Sequence, residues 1–142
     1  MTDIIKQILH SDLGTDFNNG ALLIFRVSLA LELFTVHGMK KFRIEDGKKQ
    51  QVPNPLHLPE KLNANIATFS DTIVPFFIIV GLAVRLAVLP TITVAAVAYF
   101  LVHRKDTPEI RDVPFMYILS LLLILVLGPG KYSFDYYILD LI

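Results

Sequence analysis

The stretch "ILVLGPGKYSFDYYILDLI", residues 124–142, poses the question on which the fold turns. A run of leucine and valine stops at Gly128-Pro129-Gly130, and one Lys, three Tyr and an Asp follow closely. A soluble helix can also end on glycine and proline, so the meaning of the stop depends on the solvent that the preceding run meets. Composition answers. Of 142 residues, 54% are hydrophobic and only 18% charged, with a mean hydropathy of +0.56; ordinary soluble domains are about half apolar and about a quarter charged. The excess is gathered into long runs, and about 18 predominantly apolar residues are enough for a helix to cross the hydrocarbon of a bilayer.

Four such runs are present, over residues 21–38, 66–84, 86–102 and 113–128, with a polar loop over 39–65. In lipid only helices and closed barrels satisfy every backbone group, and these runs lack the alternation of barrel strands. The reading is therefore all-α: one integral membrane domain over 1–142, an up-and-down four-helix bundle with both termini on one side. Pro75 and Pro90 lie inside the second and third runs, where kinks are expected. Ahead of the first run, Ile4, Ile5, Ile8 and Leu9 share one helical face, with Lys6, Gln7, His10 and Ser11 elsewhere and Thr2 or Asp3 available as a cap. That pattern reads as a short amphipathic interfacial helix, or as a frayed terminus. Pro53, Pro55 and Pro59 mark the 39–65 segment as a proline-braced loop against the mouth of the bundle.

In this setting the opening stretch is a membrane exit. Gly and Pro end the fourth helix, while Tyr132, Phe134, Tyr136 and Tyr137 settle at the headgroup boundary with Lys131 snorkelling beside them. Asp135 either pairs with Arg85 or Lys131 at that end or faces water and headgroups. Orientation follows from the distribution of Lys and Arg. The first and third loops carry Lys40, Lys41, Arg43, Lys48, Lys49, Lys61, Arg104, Lys105 and Arg111, against Lys6, Arg26, Arg85 and Lys131 on the other side. The basic loops are expected in the cytoplasm and both termini outside.

The formal net charge is zero, so nothing favours nucleic acid as a partner. Cysteine is absent, which removes disulfides, thiolate catalysis and iron–sulfur ligation. No Ser-His-Asp order, phosphate-cradling loop or dinucleotide fingerprint occurs. What remains are ionisable groups at membrane depth. His37 ends the first run with Lys41 a turn beyond, Asp71 opens the second, His103 ends the third and Asp112 begins the fourth. In an up-and-down bundle these positions share one end, giving a candidate polar membrane site of His37, Lys41, Asp71, His103 and Asp112. Glu32 and Asp71 sit a turn or more inside, where a charge costs about 2.5–3.5 kcal/mol, so a buried hydrogen-bonded role is expected of both. His37 and His103 lack companions at metal-ligand spacing, and no metal is assigned to them.

The segments "FTVHGMKKF", "GLAVRLAVLP", "FLVH" and "YILSLLLILVLGPGKYSFD", in this order, resemble the DoxX family of small bacterial membrane proteins over about residues 21–138. His37, Gly38, Lys41, Arg85, His103, Gly128, Pro129, Gly130, Tyr132, Ser133 and Asp135 stand at that family's recurrent positions. Asp71 and Asp112 stand where many members have Glu. The resemblance implies a four-helix inner-membrane protein related to the small subunit of archaeal thiosulfate:quinone oxidoreductase, with Gly38, Arg85 and the 128–135 residues as its structural signature.

Two classes of function fit. The chain is a subunit or accessory of a quinone-linked membrane oxidoreductase system, with a quinone head group at the polar mouth and electrons from a soluble oxidoreductase or sulfurtransferase. Alternatively it is a non-catalytic membrane anchor or assembly factor for such a partner. A small-solute or proton pathway with Arg26, Glu32 and Asp71 as stations is a further option. A homo-oligomer is compatible with each.

Overall fold

Each apolar run forms a helix, and most of these helices outlast the run that predicts them. A computed structural model describes residues 4, 10–42, 44–45, 48–49 and 51–141. Its four membrane-length helices are Asp16–Phe42, Glu60–Val80, Val84–Val102 and Pro108–Leu127. The first and second start well before residues 21 and 66, because hydropathy marks where lipid begins while helical hydrogen bonding continues into water. Local caps set the starts. The Thr15 hydroxyl accepts from the Asn18 N–H at 3.1 Å, Pro59 precedes Glu60, and Pro108 opens the fourth helix. The second span stops at Val80 rather than 84, because Gly81 (φ 79°) and Ala83 (φ 46°) turn the chain through the left-handed region.

The spans pack in chain order, first on second, second on third and third on fourth. At the centre, Ala30, Val74, Ile78, Val84, Val88, Leu121 and Ile124 are fully buried. The outer surface is equally apolar, with Ile24, Phe76, Leu86, Phe100 and Val126 exposed on it. Helices that are hydrophobic all round suit lipid as solvent. A short antiparallel pair, Ile44–Glu45 with Lys48–Lys49, lies in the first loop, and Asn63 Nδ2 donates to the Pro53 carbonyl at 3.1 Å, bracing that loop against the second span. Of the expected interfacial helix, Thr2, Asp3 and most of the apolar face lie outside the described residues.

Three of the spans contain a five-residue π-helical stretch: Phe34–Gly38, Phe69–Ile73 and Ala98–Val102. The second has a visible cause. Pro75 has no N–H, and Val74 donates to Phe69, so the Ser70 carbonyl loses its helical donors. The Thr91 hydroxyl of the third span donates to it instead at 3.2 Å. The Asp71 carbonyl, whose α-helical donor would also be Pro75, faces Gly38 so closely that a Cβ there would collide with it. Pro90, by contrast, sits within an unbroken α-helical stretch, Val84–Val97.

One end of the bundle is closed by Arg85 and the 128–135 residues of the signature. After Gly128 (φ 77°) the chain folds back, and Ser11 bridges the reversal by donating to the Leu127 carbonyl and accepting from Gly130 N–H at 2.9 Å. Asn19 Oδ1 accepts from Lys131 N–H at 3.0 Å, and Ser133 Oγ donates to the Gly130 carbonyl at 2.6 Å. Arg26, 1% exposed, donates to the Tyr132 carbonyl. Arg85 Nε donates to the Leu125 carbonyl at 3.2 Å. Asp135 departs from both sequence readings. It is buried, and its carboxylate accepts from Ala83 N–H (2.7 Å) and Val84 N–H (3.2 Å) while its own N–H donates to Gly81 (2.9 Å). It is thus a remote cap for the third span, opening the terminal helix Phe134–Leu141. Lys131 pairs with Asp16 at 3.0 Å. The stretch 128–135 is therefore a folded-back base of the bundle as well as an exit from the membrane.

Candidate functional site

The opposite end is open. A cavity of about 210 Å³ lies among all four spans, and His37, Asp71, Thr91, His103 and Tyr117 supply its polar wall. Helical spacing explains who reaches it. On the fourth span Ile110, Val113, Pro114 and Tyr117 recur at one face, and on the first Leu33 and His37 are one turn apart. Two of the π-helical stretches, Phe34–Gly38 and Phe69–Ile73, carry His37 and Asp71, and the third leads directly into His103. Such wide turns recur at functional sites because they re-aim side chains that a regular helix would hold elsewhere.

Within the site the groups are unequal. Lys41 Nζ lies 3.5 Å from Asp71 Oδ2, with side-chain exposures of 14% and 11%. Lys41 therefore balances Asp71 from behind, while Asp71 also reaches the cavity. His37 stacks edge-on to Tyr117 with ring centroids 5.3 Å apart, and its Nε2 is buried with no hydrogen-bond partner. Buried polar atoms are nearly always partnered, so such an atom at a cavity wall is where a ligand's polar group would bind. The Ser70 hydroxyl nearby is buried and unpartnered too. His103 contacts Asp106 through Nδ1 at 2.7 Å. When Nδ1 donates to that carboxylate, Nε2 is left as the acceptor.

The five residues predicted for the polar site thus separate. His37, Asp71 and His103 converge on the cavity, and Lys41 supports Asp71. Asp112 stands apart, exposed, in a second cleft of about 170 Å³ with Tyr99, Pro108, Arg111 and Phe115. It neighbours Val113 in sequence, but successive helical residues point about 100° apart. Glu32 is corrected for the same reason. Ala30 and Leu33 are buried, whereas Glu32 is exposed on the outside of the first span, within electrostatic reach of His37 and Tyr117. The expected buried role for Glu32 therefore fails. A line of stations from Arg26 through Glu32 to Asp71 does not form, because Arg26 belongs to the closed end, Glu32 faces outward, and the buried core is apolar at Val74, Ile78, Val88 and Leu121. Tyr117, Thr91, Ser70 and Asp106 were not singled out from sequence. Tyr117 could have been, as the tyrosine one turn beyond Val113 in an otherwise aliphatic run. Among the described residues no three His, Asp or Glu converge as a metal site.

Fold and site together define a multi-pass membrane protein with one sealed end and one polar, cavity-bearing end. The DoxX family model matches residues 21–104, and the chain belongs to the DoxX family. It is 30% identical over 123 residues to an uncharacterized protein of Haemophilus influenzae, covering 81% of each chain. No solved structure matches it.

Proposed function

We propose that this DoxX protein is a subunit or accessory of a quinone-linked membrane oxidoreductase system and receives a quinone head group in the open-end cavity. The observation that carries this reading is the buried, unpartnered Nε2 of His37 on a wall shared with Asp71, His103 and Tyr117. A carbonyl-bearing ring matches that wall: protonated imidazole nitrogens donate to carbonyl oxygens, and the aliphatic remainder accepts the ring faces. A volume of about 210 Å³ is below the about 300–1,000 Å³ of sites for whole drug-sized ligands, which suits a ring whose apolar tail stays in lipid. A quinone, when bound, supplies two-electron, two-proton redox chemistry. The protein's own part is to hold the ring and to deliver or accept protons at His37 Nε2 and Asp71, since imidazole titrates near neutral pH. Electrons come from a soluble oxidoreductase or sulfurtransferase docked at the basic loops. Those loops face the cytoplasm of a bacterial inner membrane and both termini face outward, in keeping with the excess of Lys and Arg on the loop side.

The test is extraction of the protein, purified in mild detergent, with organic solvent. We expect co-purifying quinone, and expect His37→Ala to lose it while keeping the wild-type unfolding transition. Extracts without quinone, together with no binding of an added short-chain benzoquinone, would overturn the proposal in favour of a non-catalytic anchor or assembly factor.

A further inference from the structure

The second cleft, between the third and fourth spans, is separate from the cavity just described and has chemistry of its own. It sits where the third span ends and the fourth begins, at the level of the lipid headgroups. Its walls are Tyr99, Pro108, Arg111, Asp112 and Phe115 around about 170 Å³. The Arg111 guanidinium lies over the Tyr99 ring, 4.5 Å from its centroid, and Tyr99 in turn packs on Phe115 at 5.6 Å. This stacking fixes the guanidinium plane. Yet Arg111 Nε is buried and has no hydrogen-bond partner. An unsatisfied charged donor is costly, and phosphate oxygens are the acceptors that a guanidinium fork fits best.

A phosphate alone does not fit the whole cleft, because the exposed Asp112 carboxylate stands on the same wall and would repel it. The pair is matched by a zwitterion: phosphate on Arg111, and a primary ammonium donating to Asp112. On the cleft wall itself Phe115 is 41% exposed, and Phe100 (61%), Leu101 (44%) and Met116 (52%), close in sequence to its lining residues, are exposed on the same two spans, so apolar surface for acyl chains is present on these helices. From this charge complementarity and position we infer that the cleft between the third and fourth spans is a binding site for one phospholipid with an aminoethyl phosphate headgroup. It is independent of what the open-end cavity holds.

Native mass spectrometry of the full chain, released from detergent with added phosphatidylethanolamine, phosphatidylcholine or phosphatidylglycerol, tests this. One tightly retained phosphatidylethanolamine per chain is expected, with at least about tenfold weaker retention of the other two. Phosphatidylcholine lacks N–H donors for Asp112, and phosphatidylglycerol lacks the cation. Arg111→Gln should weaken all three. Asp112→Asn should lower phosphatidylethanolamine retention and leave phosphatidylglycerol equal or better, a reversal of preference that misfolding would not produce. Equal retention of the three lipids by the wild type overturns the inference, as does a preference for phosphatidylethanolamine that survives Asp112→Asn.

Discussion

Gly38 and Asp71 show how a backbone contact places a side chain. Pro75 takes the helical donor from the Asp71 carbonyl, and Gly38 lets the first span approach that carbonyl closely. Gly38→Ala would force the helices apart at the cavity wall. Overpacking of this kind costs about 1–3 kcal/mol, and denaturant unfolding in detergent would register it. The nearby Lys41–Asp71 pair is largely buried, so removing one partner should cost more than removing both. Lys41→Met alone is expected to destabilise by about 3–5 kcal/mol and Lys41→Met with Asp71→Asn by much less, as a double-mutant cycle would measure. Legibility in the sequence also differs at this scale. His37, Asp71 and His103 could be placed at one end by counting along helices, because up-and-down topology makes depth a function of position. The direction in which a side chain points could not be counted in the same way. Asp112 and Glu32 each adjoin a buried or cavity-facing residue, yet they lie on other faces. The Lys41–Asp71 pairing depends on how the first span approaches the second, which no local pattern states.

At the level of elements, the four runs were legible because lipid demands unbroken apolarity, whereas helix ends were set by Thr15, Pro59 and Gly81, which hydropathy ignores. The π-helical stretches were invisible, since the second depends on Thr91 of the third span donating to the Ser70 carbonyl that Pro75 leaves without a helical donor, and on Gly38 of the first span leaving room beside the Asp71 carbonyl. The turn between the second and third spans is held from a distance. Ala83 is non-glycine at φ 46°, a strained conformation, and Asp135 stabilises it by accepting its N–H and that of Val84. Asp135→Ala leaves the buried Val84 N–H and the part-buried Ala83 N–H unpaired and removes the charge facing Arg26. The expected loss is at least about 1–3 kcal/mol, with earlier hydrogen exchange at Ala83 and Val84 as its local mark. The N-terminal segment that braces this end carries its own acid response. The Asn19 amide at 2.8 Å and then the Gly14 N–H hold the Asp12 carboxyl below its ordinary value of 3.8. A lowered folded value means that this stabilisation is present above the unfolded value and is lost as pH falls through the lower one. Between neutrality and about pH 4 the segment should therefore stay docked, and below that its amides should exchange faster, an effect absent in Asp12→Asn.

For the whole molecule, the absence of cysteine makes topology directly measurable. Lys105→Cys and Gln51→Cys should react with an impermeant maleimide from one side of a sealed vesicle, and Tyr137→Cys only from the other. Reaction of Lys105→Cys and Tyr137→Cys from the same side would break the up-and-down arrangement and the shared end on which the site depends. A further consequence comes from the tail that folds back across the ends of the helices. It gives the bundle the shape of a cul-de-sac and not of a corridor: among the described residues the cavity lies at one end, while Ser11, Arg26 and the 128–135 stretch fill the other.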